Sequence, residues 1–209
     1  MKKPTRLILG GAFDPFHNGH LAILTTLYQQ LSDQVSCLHL IPTGHPVHKS
    51  TPTASIPHRI AMLTLICEQE LKQLTSLWHY DIELYECQKN SPSFTVDTLQ
   101  HLHQKFPDSH FSWIIGDDQY FRFHTWHTPE SILKLANLLV INRQETQDYR
   151  AYWHTHFPNL SFTDSVTFSY MPLVPLSSQE IRSKILANQP IDRDVPLSIV
   201  RYIESKKLY

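Results

Sequence analysis

Short apolar runs alternate with amphipathic stretches along the chain, the pattern of a parallel sheet whose strands are joined by helices. Arg6 to Leu9 reads as a first buried strand. Asn18 to Leu31 follows with apolar residues at Leu21, Ile23, Leu24, Leu27, Tyr28 and Leu31, a helical rhythm. Ser36 to Ile41 predicts a second strand, and the PTGHPVHKSTPTAS segment after it holds too many breakers for regular structure. A loop of that length in an α/β protein usually serves a site. Ser55 with Pro57 marks a helix start, and IPHRIAMLTLICEQELKQL continues that helix. Trp78 to Glu83 alternates like a strand near a sheet edge, and Thr95 to Phe106 reads as a helix. Phe111 to Ile115 is a nearly continuous apolar run ending at Gly116, with Asp117 and Asp118 beginning a turn. Such a run suits a central parallel strand opening onto a crevice, where ligands bind. Leu138 to Ile141, after a helix containing Ile132 to Ala136, predicts a further buried strand. From Asn142 to Leu160 the pattern weakens, and this stretch reads as a variable surface segment. LSSQEIRSKILANQ and VPLSIVRYIESKKL then predict two helices, with Ser177 or Ser178 as the first N-cap. The expected fold class is α/β: an open parallel sheet with helices on both faces and a small C-terminal helical part.

At 209 residues the chain suits one domain, 1–209, with 172–209 as a helical subregion, and is short for two. Its 18 basic and 19 acidic residues leave a formal net charge of -1, which exerts no overall pull on nucleic acid or anionic membrane. Phosphate binding must then be local. Cys37, Cys67 and Cys87 lie far apart without a Cys-x-x-Cys pair, which argues against a disulfide framework or thiolate metal site and for a reducing, cytoplasmic setting. The apolar run after Lys2 and Lys3 is cut by Gly10, Gly11 and Asp14 before reaching signal-peptide length. No later run approaches the roughly 20 residues that span a bilayer. Neither membrane nor nucleic acid is an expected partner, and a monomer or small homo-oligomer fits.

LILGGAFDPFHNGHL carries the strongest chemical signal: a strand runs into two glycines, a proline turn and two histidines at a helix start. Glycines let the backbone approach an anion without a Cβ in the way, and a helix N-terminus adds unpaired N–H groups and partial positive charge. His17 and His20 lie about one helical turn apart, so both can face one ligand and donate to phosphate oxygens. Gly19 between them permits close packing. A metal pair with Asp14 as third ligand is the competing reading, but it gives the glycines no role. A capped helix with incidental surface histidines is another. The segment matches neither G-x-G-x-x-G nor the P-loop G-x-x-x-x-G-K-[ST].

GGAFDPFHNGH resembles the (T/H)xGH-type signature of the nucleotidyltransferase superfamily, in the form carried by nicotinate-nucleotide adenylyltransferases. LSSQEIR, from Leu176 to Arg182, is similar to the ISSTxIR motif of the same enzymes. NSPSFTVDTL, WIIGDDQYFRFHTW and VRYIESKKLY fit them too, so the resemblance spans nearly the whole chain, with Asn142 to Leu160 least covered. It implies a Rossmann-like fold. It also implies transfer of the adenylyl group of ATP to nicotinate mononucleotide, giving deamido-NAD and pyrophosphate in NAD biosynthesis, with Mg²⁺ held mainly by the ATP phosphates.

The same resemblance implies catalytic roles for His17, His20, Lys49 and Arg182. ATP would be bound by Gly10, Gly11, Ala12, Phe13, His17, Gly19, His20, Gly116, Asp118, Ser177, Ser178, Ile181 and Arg182. Nicotinate mononucleotide would be bound by Ala12, Phe13, Lys49, Phe94, Thr95, Trp126 and Arg143. Elementary chemistry agrees with parts of this assignment. A helix-start serine with an arginine one turn on offers hydroxyl, N–H and guanidinium to one anion. An indole face suits a cationic pyridinium ring, although Trp126 with Phe121, Phe123 and Trp113 also reads as core. Four positions depart from the family pattern: Ala12 for Thr or Ser, Val47 for Pro, Asn142 for Arg, and Gln179 for Thr. None removes a charged phosphate ligand from the two main motifs. Within the enzyme class the alternatives are acceptors such as nicotinamide mononucleotide, phosphopantetheine or riboflavin phosphate. Outside it, the alternative is a nucleotide-binding regulator without turnover.

Overall fold

A computed structural model of the chain describes residues 3–46, 51–74, 77–142, 148–172 and 174–209. Among them, six strands form one sheet in the order β3-β2-β1-β4-β5-β6, every neighbouring pair parallel. The strands are β1 (Thr5–Gly11), β2 (Val35–Pro42), β3 (His79–Ile82), β4 (His110–Gly116), β5 (Asn137–Asn142) and β6 (Val166–Tyr170). Helix α1 (Asn18–Leu31) connects β1 to β2, and α2 (Ile56–Leu65) with α3 (Lys72–Leu74) precedes β3. Helices α4 (Tyr85–Gln88) and α5 (Thr95–Lys105) lead to β4, and α6 (Asp117–Tyr120) and α7 (Pro129–Leu135) lead to β5. Then come α8 (Tyr149–His156), α9 (Phe162–Ser165), and, after β6, α10 (Ser178–Leu186) and α11 (Leu197–Lys206).

Alternation along the strands divides the core between the two faces of this Rossmann-like sheet. Leu7, Leu9, Leu38, Leu40, Ile114 and Ile141 face one side, where Leu24, Leu27, Met62, Ile181 and Ile199 from α1, α2, α10 and α11 cover them. Ile8, Ile41, Trp113, Ile115 and Val140 face the other, beneath Leu99, Ile132 and Trp153 of α5, α7 and α8. The strand order reverses between β1 and β4, and a crevice opens beyond their carboxyl ends.

Three expectations need correction. The stretch from Asn142 to Leu160 is not merely a surface segment. Residues 143–147 lie outside the described residues, but α8 follows and buries Tyr149 and Trp153, with Phe157 beyond it, against Tyr120 and Phe123. Strand β6 was not expected from the sequence at all. The helix beginning at Ile56 does not run on unchanged either: Ile66–Leu71 forms a π-helical turn that shifts the register while keeping Ile66 and Leu71 in the core.

Candidate active site

The crevice is a cleft of about 760 Å³ lined from both halves of the sheet. The exit of β1 supplies Gly10, Gly11, Ala12, Phe13 and Asp14; the start of α1 supplies His17, Gly19 and His20. Gly116 and Asp118 contribute from the exit of β4, Phe94 and Thr95 from the start of α5, and Trp126 from the segment before α7. Ser177, Ser178 and Arg182 arrive from α10. The structure thus gathers most of the sequence-predicted site residues on one surface. Ile181 is the exception: it is fully buried in the core among α1, α2 and α11 and does not line the cleft, because its place on α10 faces the sheet while Ser178 and Arg182 face the opening. Lys49 and Arg143 lie outside the described residues. Pro46, Thr51 and Pro52, on either side of the segment holding Lys49, do line the cleft.

The signature loop is held by its carbonyls. Thr43 N donates to Gly11 O at 2.9 Å, and the buried Arg59 Nη1 to Ala12 O at 2.9 Å. Arg182 Nη1 donates to Asp14 O at 2.7 Å, and Ser178 Oγ to Pro15 O at 2.9 Å. With these acceptors engaged elsewhere, their negative ends do not oppose an incoming anion. Two of the four ties come from α10, so the β1 exit and the Ser/Arg turn are in direct contact.

His17 is the N-cap of α1 and His20 its third residue, and they form a reciprocal capping box. His20 Nδ1 accepts from the His17 backbone N–H at 3.2 Å, which leaves its Nε2 to carry the proton of the neutral ring as a donor. The two rings lie 3.8 Å apart between centroids. Gly19 is required by this arrangement, since a Cβ there would lie 2.9 Å from His17 Nδ1. No acidic side chain occupies the first turn of α1 to cancel its positive end.

Ser177 caps α10, accepting from Glu180 N at 3.2 Å and donating to Glu180 Oε2 at 2.8 Å. On the far side, Gly116 meets Asp118 closely: a Cβ there would lie 2.6 Å from Asp118 Oδ1. Asp118 is exposed and accepts from Gln119 Nε2 at 2.7 Å, whereas Asp117 Oδ1 accepts from the Asp118 N–H at 2.9 Å, so the adjacent carboxylates have separate partners. Trp126 is half-buried, with its ring centroid 5.4 Å from that of Phe123 and part of its surface in the cleft.

Two carboxylates in the cleft wall carry more than the sequence indicated. Asp14 is only 1% exposed and receives Thr53 N at 2.7 Å, Ala54 N at 3.0 Å and Tyr209 Oη at 2.7 Å, with Arg182 Nη1 3.4 Å away. Its oxygens are directed at these groups, which leaves the metal reading of Asp14 with His17 and His20 without support. Among the described residues no group of three or more His, Cys, Asp or Glu is placed to hold a metal ion. Glu86 is buried beside Ser93 and accepts from Thr98 Oγ1 at 2.9 Å. Burial pushes its carboxyl above the ordinary range, against hydrogen bonds from Thr98, Ser93 and the Gly44 N–H. Glu86 stands in no periodicity or short motif that would single it out, and Asp14, although it stands in the signature, offered there only the metal reading.

A parallel α/β sheet whose switch-point cleft joins a glycine exit, a helix N-terminus and converging histidine and arginine side chains defines a nucleotide-binding enzyme. Residues 8–184 match the cytidylyltransferase-like family. A probable nicotinate-nucleotide adenylyltransferase of Acidithiobacillus ferrooxidans is 31% identical across 97% of this chain and 94% of its own length. One of Borrelia hermsii is 32% identical across 97% and 96%. The chain belongs to the cytidylyltransferase-like family, in its nicotinate-nucleotide adenylyltransferase branch. The structure of Plasmodium falciparum nicotinic acid mononucleotide adenylyltransferase complexed with NaAD shares the fold, with a TM-score of 0.77 at 21% identity over 99% of this chain and 97% of that one. Among the described residues no helix is long and apolar enough to cross a membrane.

Proposed function

We propose that the chain transfers the adenylyl group of ATP to the phosphate of nicotinate mononucleotide, forming deamido-NAD and releasing pyrophosphate. The observation that carries this reading is the contact between the β1 exit and α10, which puts His17, His20 and Arg182 on one cleft at the switch point of the sheet.

The acceptor phosphate has a second pKa of about 6 and is largely a dianion at neutral pH, so it needs no general base. One of its oxygens bonds to the α-phosphorus of ATP while the bond from that phosphorus to the bridging oxygen breaks, and pyrophosphate leaves with the electron pair. The work of the protein is to align two mutually repelling polyanions and to stabilise the charge that develops. His20 Nε2–H, His17, the α1 amides and Arg182 face the triphosphate, and Gly10, Gly11, Ala12, Phe13 and Gly19 let it approach the backbone. Lys49 adds a cation from the long loop. Gly116, Asp118 and the start of α10 bound the adenosine side. Phe94, Thr95 and Trp126 take the nicotinate, the indole against the cationic ring and the α5 N-terminus toward the carboxylate; the family resemblance assigns Arg143 to the mononucleotide as well. Mg²⁺ enters as part of the MgATP substrate, held mainly by the phosphates and neutralising their charge.

The test is an acceptor panel: purified protein with ATP, Mg²⁺ and, separately, nicotinate mononucleotide, nicotinamide mononucleotide, phosphopantetheine and riboflavin phosphate. Dinucleotide and pyrophosphate should appear in equal amounts and fastest with nicotinate mononucleotide. Faster turnover of another acceptor would reassign the substrate, and ATP binding without pyrophosphate release would make the chain a non-catalytic binder.

A further inference from the structure

Asp14 is the point at which three separate parts of the chain meet the signature loop. Its Oδ2 takes the Thr53 amide, and its Oδ1 takes both the Ala54 amide and the hydroxyl of Tyr209, three residues beyond α11. The same residue holds Arg182, whose Nη1 donates to the Asp14 carbonyl at 2.7 Å and stands 3.4 Å from Oδ2. Arg182 therefore has two claims on it: the Asp14 residue behind it and an anion in the cleft before it. How strongly Asp14 retains the guanidinium depends on how well its carboxylate is satisfied by other donors. Tyr209 is a donor that stays protonated, because burial, and after it the hydrogen bond to Asp14, push its phenol well above the ordinary tyrosine range. Asp14 is 1% exposed, so water does not replace a lost donor there.

We infer that Tyr209 is a positioning residue for ATP: its hydroxyl satisfies Asp14 Oδ1, and Asp14 then leaves Arg182 available to the triphosphate. This rests on the reading of Arg182 as a phosphate ligand. Without the hydroxyl, Oδ1 keeps only the Ala54 amide, and the guanidinium is drawn from the cleft onto the carboxylate. The effect belongs to the ATP side, since among the described residues this network joins Asp14 to Thr53, Ala54, Arg182 and Tyr209 and includes neither Thr95 nor Trp126.

The test is steady-state kinetics on Tyr209→Phe, Arg182→Ala and the double variant, with KM measured for ATP and for nicotinate mononucleotide. Tyr209→Phe keeps the ring in place, and KM does not depend on the fraction of molecules folded. Tyr209→Phe should raise KM for ATP about five- to tenfold, the scale of one ordinary lost hydrogen bond, while the mononucleotide KM stays within about twofold. In the Arg182→Ala background the same change should add nothing. An ATP effect from Arg182→Ala with none from Tyr209→Phe, or two effects that simply multiply, overturns the positioning role alone. Silence of Arg182→Ala overturns that role together with the assignment of Arg182 to the triphosphate.

Discussion

His20 Nδ1 accepts from the backbone N–H of His17, which puts the proton of the neutral ring on Nε2. Its tautomer is thus fixed by the fold before any ligand arrives. Removing one such preorganised donor with His20→Ala should lower kcat by about two to three orders of magnitude, while the thermal midpoint shifts by only a few degrees. Near-normal turnover would dismiss the histidine from the chemistry. With Trp126 stacking on the acceptor as proposed, Trp126→Ala should raise KM for nicotinate mononucleotide by about tenfold with little change in KM for ATP. Initial rates with each substrate varied in turn would check this, and a change confined to ATP contradicts the stacking role. Both residues could be found from the sequence because they sit in motifs whose chemistry is local. Glu86 could not, and the anchoring role of Asp14 could not either, although the residue itself stands in the signature. The donors come from Thr53, Ala54, Arg182 and Tyr209 for Asp14 and from Thr98, Ser93 and Gly44 for Glu86, and only the folded chain brings these together.

At the scale of elements, the site depends on how tightly α1 meets its neighbours. Gly19 lies with its missing Cβ 2.9 Å from His17 Nδ1 and 3.7 Å from the Leu176 side chain just before α10. A methyl group there displaces the His17 imidazole, while toward Leu176 it makes only ordinary contact. Gly19→Ala should therefore cut kcat at least about tenfold although alanine is the better helix former, by about 1 kcal/mol in a helix interior. Circular dichroism beside the activity assay separates the two effects, and full activity would mean that the close fit has no consequence. The strands around β1 and β4 were legible because their apolar runs are continuous and end in glycine. Helix α8 was harder to read: Tyr149, Tyr152, Trp153 and Phe157 keep helical spacing, but as aromatics among Gln, His and Thr they resemble a surface segment. Strand β6 is short and at the edge, and only Val166 and Ser169 of its residues are buried. The π-helical turn at Ile66–Leu71 leaves no mark in the periodicity, because one extra residue per turn still returns Leu71 to the core.

For the whole molecule, the sheet carries a second polar centre away from the cleft. His39 on β2 is completely buried, 3.2 Å from Arg6 Nη1 and 3.6 Å from Asp81. Burial lowers its pKa from 6.5 to about 4, with Asp81 opposing the shift and Arg6 adding to it. The folded chain thus refuses a proton that the unfolded chain binds near pH 6.5. Stability from this residue is complete above that pH and declines as the pH falls toward 4, by on the order of 3 kcal/mol over the full interval. His39→Gln, which keeps an acceptor for Arg6, should flatten the fall of the thermal midpoint between pH 6.5 and 4 relative to the parent. Parallel curves would mean that His39 titrates normally.

The central claim at this scale is that the exit of β1 and the start of α10, joined by bonds that span 163 and 168 residues of the chain, act as one grip on ATP. A crystal structure with a non-hydrolysable ATP analogue and Mg²⁺ tests it most directly. The triphosphate should lie over Gly10 and Gly11 within hydrogen-bonding distance of His20 Nε2 and the Arg182 guanidinium. A triphosphate bound elsewhere, or touching only one of the two motifs, would contradict the account.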